Sequence, residues 1–350
     1  MMKLTKKLIP LCCAALMLLG TGICEGISTI SSRDEIHQQA AERWMSDDTL
    51  AYAQISVFYS RESAPPTTSV ESLRESVNKA LTTASLEPKN KDAELWYDAW
   101  STEQGTVTVN GMKPQETKAV ATAVGGYFFR VHPMKLLNGS YVSQDDLMHD
   151  RVVIDDLLAW FAFGSSNVAG MELTVNGTVY QVAGVVESPQ DKTGKAAYGT
   201  MPRIYLPYAP DDPESGSSTI GCYEAVLPNP VRNFGQKTMT DAIGERDFMR
   251  VLVNTRRTSI SRRWNSLRHL REMVAASDGI IYPWWENAAR MRDFSAAQML
   301  RLEILLLIFP TLCLLFLIWK GYRYLERLID EKREHFKRRY RTIEKDPYSL

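Results

Sequence analysis

The chain has 350 residues, enough for about two domains of ordinary size, and it sets 41 Lys and Arg against 41 Asp and Glu. A neutral chain with 45% hydrophobic residues is neither a polyelectrolyte built for nucleic acid nor a disordered polymer. Its five cysteines and five histidines have no framework or ligand spacing, which argues against a disulfide scaffold or a zinc ribbon.

The apolar residues gather near the two ends. Residues 8–23 are uncharged and follow Lys3, Lys6 and Lys7, while residues 304–319 are uncharged and run into Lys320. Each run is a little short of the ~20 residues that cross a bilayer, and its flanks can extend it. The first run also fits a secretory signal peptide, with a basic leader and small residues near Gly20 and Gly22. Ile27, Ile30, Ala40, Ala41 and Trp44 continue a helical pattern outward without a clear processing site, which favours an uncleaved signal anchor. In the second run, Pro310 can kink a membrane helix without forbidding it. The expected division is a leader and first span over 1–26, an ectodomain over 27–300, a second span over 301–320 and a basic tail over 321–350.

Charge gives the orientation. Residues 320–350 carry ten Lys and Arg against six Asp and Glu, the leader adds three lysines, and residues 24–319 hold 28 basic against 35 acidic side chains. Basic residues beside spans stay in the cytoplasm, so both termini are expected inside and the acidic middle outside. Trp319, Tyr322 and Tyr324 fit an aromatic belt at the inner boundary.

Between the spans, residues 53–57 alternate with period two and predict a strand. After Pro65-Pro66, Val70, Leu73, Val77, Leu81 and Ala84 recur with helical spacing, and Thr68-Ser69-Val70-Glu71 reads as a capping box. Residues 95–100 start a second unit that turns at Glu103-Gln104-Gly105 and leaves as a strand over 106–109. Further strands are expected at 120–124 and 151–154, with a helix over 157–163. Asn176-Gly177 between residues 171–175 and 178–182 is the preferred pair for a type I′ hairpin, whose second strand continues to Val186. Residues 188–197 and 211–218 read as loops, 203–206, 223–227 and 250–253 as strands, and 259–276 as a helix.

No chemistry-bearing constellation stands out. The chain lacks a Walker A motif, so it is not itself the nucleotide-hydrolysing subunit. Asp145/Asp146 and Asp155/Asp156 read as helix N-terminal charges, Gly164-Ser165-Ser166 as a turn rather than a nucleophile elbow, and His132 before Pro133 as a turn residue. No enzyme activity and no cofactor are therefore expected. Tyr282, Trp284 and Trp285 are either a structural anchor or a partner-docking patch, since aromatics are enriched in interface hot spots. Leu325, Leu328 and Ile329 give the inner segment an apolar edge able to dock on a partner. The basic stretch 332–345 can rest on anionic membrane lipid, contact a cytoplasmic partner or simply fix topology.

Several segments, taken in order, resemble one family. Gly125-Gly126-Tyr127-Phe128-Phe129, residues 132–139 from His132-Pro133 to Asn138-Gly139, and Asp150-Arg151-Val152-Val153-Ile154-Asp155 are similar to the extracytoplasmic core domain of MacB/FtsX-type ABC-transporter permeases. Phe163-Gly164-Ser165-Ser166, Val168-Ala169-Gly170-Met171 and Val182-Ala183-Gly184-Val185-Val186 continue the order. The likeness covers about residues 8–208. It implies an α+β fold, a two-lobed extracytoplasmic domain with a βαβ-type lobe and an inserted, mostly β lobe between two transmembrane helices. It also implies a separate cytoplasmic ABC ATPase subunit and a further permease subunit or homodimer as partners, with no nucleic acid. The usual permease has three more helices after the outer domain, whereas one apolar run follows it here, so transport by this chain alone is placed in doubt. The rival expectation is a membrane-anchored extracellular binding or sensor module without an ATPase.

Overall fold

The computed structural model describes residues 2–33, 35–44, 50–88, 94–142, 146, 148–208, 219–244, 247–257, 259–269 and 279–345. The expected loop at 211–218 and the second half of the expected helix at 259–276 lie outside these. The chain divides into two units, Met1–Ile30 with Gln298–Leu350, and Ser31–Ala297. The helices are α1 (Met2–Arg33), α2 (Ala40–Trp44), α3 (Ser69–Thr83), α4 (Phe128–Val131), α5 (Asp156–Ala162), α6 (Lys192–Tyr198), α7 (Phe234–Ile243), α8 (Ile260–Arg268) and α9 (Trp284–Lys345). The strands are β1 (Tyr52–Tyr59), β2 (Tyr97–Asn110), β3 (Thr117–Gly126), β4 (Leu136–Gly139), β5 (Arg151–Asp155), β6 (Glu172–Val175), β7 (Thr178–Val186), β8 (Arg203–Pro207), β9 (Cys222–Pro228) and β10 (Met249–Val253).

In the first unit, α1 and α9 hold the two stretches that are long and apolar enough to cross a membrane, within Pro10–Ser31 and Trp284–Lys337. Their large apolar side chains, such as Leu16, Leu19, Leu305 and Leu315, are exposed. Hydrocarbon is the solvent that suits such a surface. Within this unit the helices approach at Gly20, where an added Cβ would sit 3.3 Å from the Leu306 side chain.

The second unit is built on strands of period two. One lobe is a β1-α3-β2 unit and a β9-α7-β10 unit sharing a four-stranded sheet of order β10-β1-β9-β2. All of its pairs are antiparallel, the arrangement of a split βαβ sandwich. Ala53, Ile55, Val57 and Tyr59 of β1, with Tyr223, Ala225 and Leu227 of β9, face α3 and α7 and pack against Val70, Val77, Leu81 and Met239. The alternate residues, Gln54, Ser56 and Glu224, point to the other face and are buried there too.

The second lobe is inserted between β2 and β9. From β2 the order continues β3-β8-β5-β7-β4, and β6 pairs with both β7 and the far end of β2. Strands β2, β3, β8, β5, β7 and β6 thus close a ring, and full closure removes the exposed edges of those strands. Val109, Ala121, Val152, Ile154, Leu173, Val185 and Ile204 fill it, capped by Leu158 and Ala162 of α5. Asn176 fastens the closure. Its backbone N–H donates to Thr108 O at 3.0 Å and its side-chain oxygen accepts from Thr108 N at 3.0 Å. Asn176 and Gly177 have φ of 47° and 94°, as the expected type I′ hairpin requires.

Three local expectations are corrected. The turn at Glu103-Gln104-Gly105 is a β-bulge inside one continuous 14-residue β2, with Gly105 at φ 88°. The bulge falls between the part of β2 that pairs with β9 and the part that pairs with β6, where a bent strand serves both lobes. Residues 188–197 contain α6, started by Asp191, whose carboxylate accepts from Gly194 N at 2.8 Å. No capping box forms at α3, because Thr68 is already in helical conformation and makes no side-chain cap. The Ser69 hydroxyl donates instead to Pro66 O. His132 stands at the bend that ends α4, as a turn residue before Pro133, and is fully buried there.

Asp155 knots the inserted lobe. It is fully buried, caps α5 by accepting from Leu158 N at 2.7 Å, and also accepts from Arg203 N at 2.8 Å and the Tyr198 hydroxyl at 2.9 Å. Burial pushes its carboxyl up to about 7 against the pull of these bonds. Asp155→Ala strands three donors and should destabilise the ectodomain by about 3 kcal/mol or more in urea melts of the full chain. Asp155→Asn keeps an acceptor for the helix end and should lose less than half of that.

Candidate functional site: a polar seam behind the sheet

The face of the four-stranded sheet opposite α3 and α7 is covered by segments from both ends of the ectodomain, Glu35–Trp44 and the start of α9. The first is pinned by Gln54 of β1, whose side-chain oxygen accepts from Ala40 N and whose nitrogen donates to His37 O, both at 2.8 Å. Ala40 and Ala41 have no exposed surface, so this short helix lies flat on the sheet. Arg43 reinforces the seat by donating to the backbone oxygens of Ile36, Arg130 and Val131.

The second cover is held by charge. Arg257, just after β10, donates from its two Nη atoms to both oxygens of Glu286 at 2.8 and 2.9 Å, and from Nε to Asp293 at 2.7 Å. Glu286 and Arg257 are buried. Burial disfavours the Arg257 charge, yet Glu286 and Asp293 override it and raise its pKa. Spacings of four and then three residues, two helical turns in all, bring residues 286, 290 and 293 to the same side of α9. Arg292 reaches Asp191 at 2.6 Å, which ties α9 to the cap of α6.

Between these covers lies a chain of buried polar groups. The His132 Nε2 bonds the Glu224 carboxylate of β9, the Ser56 hydroxyl donates to the same carboxylate at 2.5 Å, and Asn254 donates to Ser56 at 2.7 Å. Burial would raise Glu224, but His132 and its hydrogen-bond donors hold it below the ordinary carboxylate range. His37 stands 5.6 Å from His132 between ring centroids, and burial lowers it well below the usual histidine value. The Nδ1 atoms of both histidines have no hydrogen-bond partner among the described residues.

The aromatic triplet singled out by sequence lies in this seam. Tyr282, Trp284 and Trp285 are 6, 3 and 1% exposed. Trp285 packs on His132 at 4.3 Å and on Phe128 at 5.4 Å, Trp284 on His37 at 4.9 Å and Tyr198 at 5.1 Å, and Tyr282 on Phe58 at 5.1 Å. They act as an anchor of α9, and the expected docking patch is not on the surface, because the sheet face needs apolar cover of this size. Leu325, Leu328 and Ile329, on the far part of α9, are exposed along one edge. Sequence reasoning missed Glu224, Arg257 and Glu286. The one available signal was a glutamate and two polar residues alternating inside otherwise apolar strands. Among the described residues no group of His, Cys, Asp or Glu is placed to hold a metal ion, and Cys222 is a buried thiol whose pKa burial pushes well up.

Two measurements probe the seam. Burial, with Asp293 nearby, pushes Glu35 from 4.5 up to about 7 against Arg257 and Arg292. Between those values the folded chain keeps a proton that the unfolded chain has released, so stability falls as pH rises through the window. Glu35→Gln should match the wild type near pH 4.5 and exceed it by up to about 3 kcal/mol above about pH 8. Parallel stability curves for the two proteins would disprove the burial of Glu35. Arg257→Met leaves the buried Glu286 and the partly buried Asp293 without their partner and should cost about 3–5 kcal/mol. Pairing it with Glu286→Leu should recover much of the loss.

Comparison with known proteins places this architecture. Residues 11–223 match the MacB-like periplasmic core domain. No curated protein matches the chain. Among solved structures, the periplasmic region of MacB from Actinobacillus actinomycetemcomitans is 15% identical over 66% of this chain and 98% of its own, with a TM-score of 0.42. The extracellular domain of the noncanonic ABC-type transporter YknZ from Gram-positive bacteria is 13% identical over 57% of this chain and 99% of its own, with a TM-score of 0.37. With most of its length matched between two apolar helices, the chain belongs to the family of the MacB-like periplasmic core domain.

Proposed function

We propose that the chain is a membrane-embedded, permease-like subunit of an ABC transporter or mechanotransmission complex, and that its ectodomain acts on an extracytoplasmic partner or cargo. The family supports the transporter setting. The observation that carries the reading is the Arg257–Glu286–Asp293 cluster. A helix that only anchored a domain could leave it by a flexible linker, whereas α9 begins inside the ectodomain core, bonded to the sheet. Displacement of α9 would then reach Glu224 and His132 on one side and, through Arg292 and Asp191, α6 on the other.

In this reading both termini are cytoplasmic, the energy comes from a separate ATPase subunit, and a second permease subunit or copy completes the assembly. Leu325, Leu328 and Ile329 are the edge on which the ATPase docks. A ligand shifts a two-state protein only through differential affinity for its states, so the nucleotide-bound ATPase must prefer one position of α9.

Topology is tested with single cysteines in a cysteine-free chain. Ser166→Cys should react with an impermeant maleimide on intact cells, and Ser349→Cys should react after lysis alone. Reaction at 349 in intact cells would reverse the orientation. For coupling, Leu325→Ser/Leu328→Ser/Ile329→Ser should abolish co-purification of the ATPase while membrane insertion persists. ATP-trapping conditions should change trypsin cleavage at Lys192 and Lys195, which follow Asp191 in the first turn of α6. If the unmutated chain brings down no ATPase and cleavage ignores nucleotide, the anchored-sensor reading replaces this one.

A further inference from the structure

The two lobes treat the ends of their sheet differently. In the inserted lobe ring closure leaves β4 as the last strand, and β4 is four residues long and interrupted by a bulge. Shortness and bulges are common defences of a strand edge. At the other end stands β10, which pairs with β1 on one side alone. Its register with β1 runs over five residues without a shift, it holds no proline, and all but Arg250 are apolar. None of the five is buried, against seven of the eight in β1.

Alternation along the ladder decides what this edge presents. Asn254 N donates to Gln54 O and Ser60 N to Phe248 O, so even-numbered residues turn their N–H and C=O toward β1. Met249, Val251 and Val253 therefore turn theirs outward. Val253 O accepts from Arg262. Among the described residues, the N–H and C=O of Met249 and Val251 and the N–H of Val253 have no hydrogen-bond partner. The side chains match the backbone. Met249, Val251 and Val253 form the partly exposed margin of the apolar core under α3 and α7. Phe248, just before the strand, is 60% exposed, and its φ of 56° is one that bulky residues rarely adopt. Unpaired amides beside an unfinished apolar face are a template for another strand.

The strand that fits is β10 of a second copy. Laid antiparallel about a two-fold axis through Val251, the two edges set Val251 against Val251 and Met249 against Val253. These are pairs of outward-facing residues, so each can exchange hydrogen bonds. Val253 O has a second lone pair for the N–H of Met249 across the axis. The apolar face then continues from one copy into the other. On the opposite face Arg250 meets Leu252. An axis through residue 250 would instead oppose two arginines, which destabilises a sheet pair. Closed two-fold association requires a patch complementary to itself, and charge selects the register in which this edge meets that condition.

We propose that β10 pairs with β10 of a second copy about an axis at Val251, joining the two four-stranded sheets. This rests on the reading above in which a second copy completes the assembly, and it assigns the surface through which the ectodomains meet.

The test uses the full-length chain, made cysteine-free, in membranes that lack the ATPase. Val251→Cys should form a disulfide with its own copy under mild oxidation, because facing Cα atoms of a hydrogen-bonded pair lie about 5.5 Å apart. Arg250→Cys, diagonal to its own copy at about 7–8 Å, should cross-link far less. Val251→Pro removes an outward N–H and no bond to β1. By symmetry two hydrogen bonds are lost at the axis, each worth about fivefold, so dimerisation should weaken about 25-fold. Because proline could strain the strand, Val251→Lys supplies a second arm that keeps the N–H and sets like charges across the axis. It should also separate the copies, and mixing it with Val251→Glu chains should restore pairing between unlike chains. A chain that is dimeric by mass yet gives no Val251→Cys cross-link would overturn the proposal and leave the subunit reading standing, since that reading is decided by co-purification of the ATPase. A monomer by mass would overturn it too, as would equal cross-linking at 250 and 251 or mutants that dimerise like the wild type. Cross-linking of Val251→Cys to a different protein would reassign the edge to that protein.

Discussion

A buried arginine with two carboxylates determines how this ectodomain is put together. Arg257 gives up its hydration to sit against the sheet, and Glu286 and Asp293 of α9 replace it with three hydrogen bonds between 2.7 and 2.9 Å. Such a cluster adds little net stability over a well-packed apolar one, yet breaking it is costly because a charge is left without a partner. It therefore acts as a specifier of position. α9 can seat in one register on the sheet, and Trp284 and Trp285 fill the adjoining aromatic pocket in that register alone. An apolar contact by itself would tolerate sliding by a turn.

The same constraint explains why polar residues occupy one face of β1 and β9. Gln54, Ser56 and Glu224 would be ordinary on a solvated sheet, and here each is hydrogen-bonded: Gln54 to Ala40 and His37 of the first cover, Ser56 to Asn254 just after β10, and Glu224 to His132 just after α4. The two covers come from opposite ends of the ectodomain sequence, so the seam records the closure of the domain upon itself. The opposite face is an apolar sandwich with α3 and α7, crossed by a cluster of its own in which Arg74 of α3 and the Tyr223 hydroxyl both donate to the buried Asp98.

Much of the local structure was legible beforehand because it rests on short-range rules. Alternation located β1, strand-like runs located β3, β5, β8, β9 and β10, helical spacing located α3, a helical run located α5, and Asn176-Gly177 gave its hairpin. Resemblance supplied the two-lobed α+β plan. The errors occurred where a distant partner decides the outcome. Gly105 looks like a turn until β3 and β9 hold both halves of β2 in one strand. The segment containing α6 is polar and short, and its helix depends on Asp191, itself held by Arg292 from α9. The burial of His132, and the choice between anchor and docking patch for the Trp284-Trp285 pair, could not be read for one reason: the sequence shows that they are aromatic or ionisable, while their burial depends on a sheet face assembled from residues up to 198 positions apart.

The insertion of one lobe into the other also governs how the molecule can be made. Ser56 and Glu224 are hydrogen-bonded neighbours across β1 and β9, separated by 168 residues of chain. On the way out through a membrane, β1 and β2 would emerge first and wait for β9 and β10 with a gap between them. The six-stranded ring can form in that interval, since β2 through β8 are complete before β9 arrives. Long-range pairing of this kind is slow and leaves strand edges open to wrong partners. The ring would then serve as a template that holds β2 bent at its bulge, ready to receive the last strands. Newly exported chains caught before residue 222 would carry β1 without either of its strand partners, leaving Gln54, Ser56 and Phe58 uncovered.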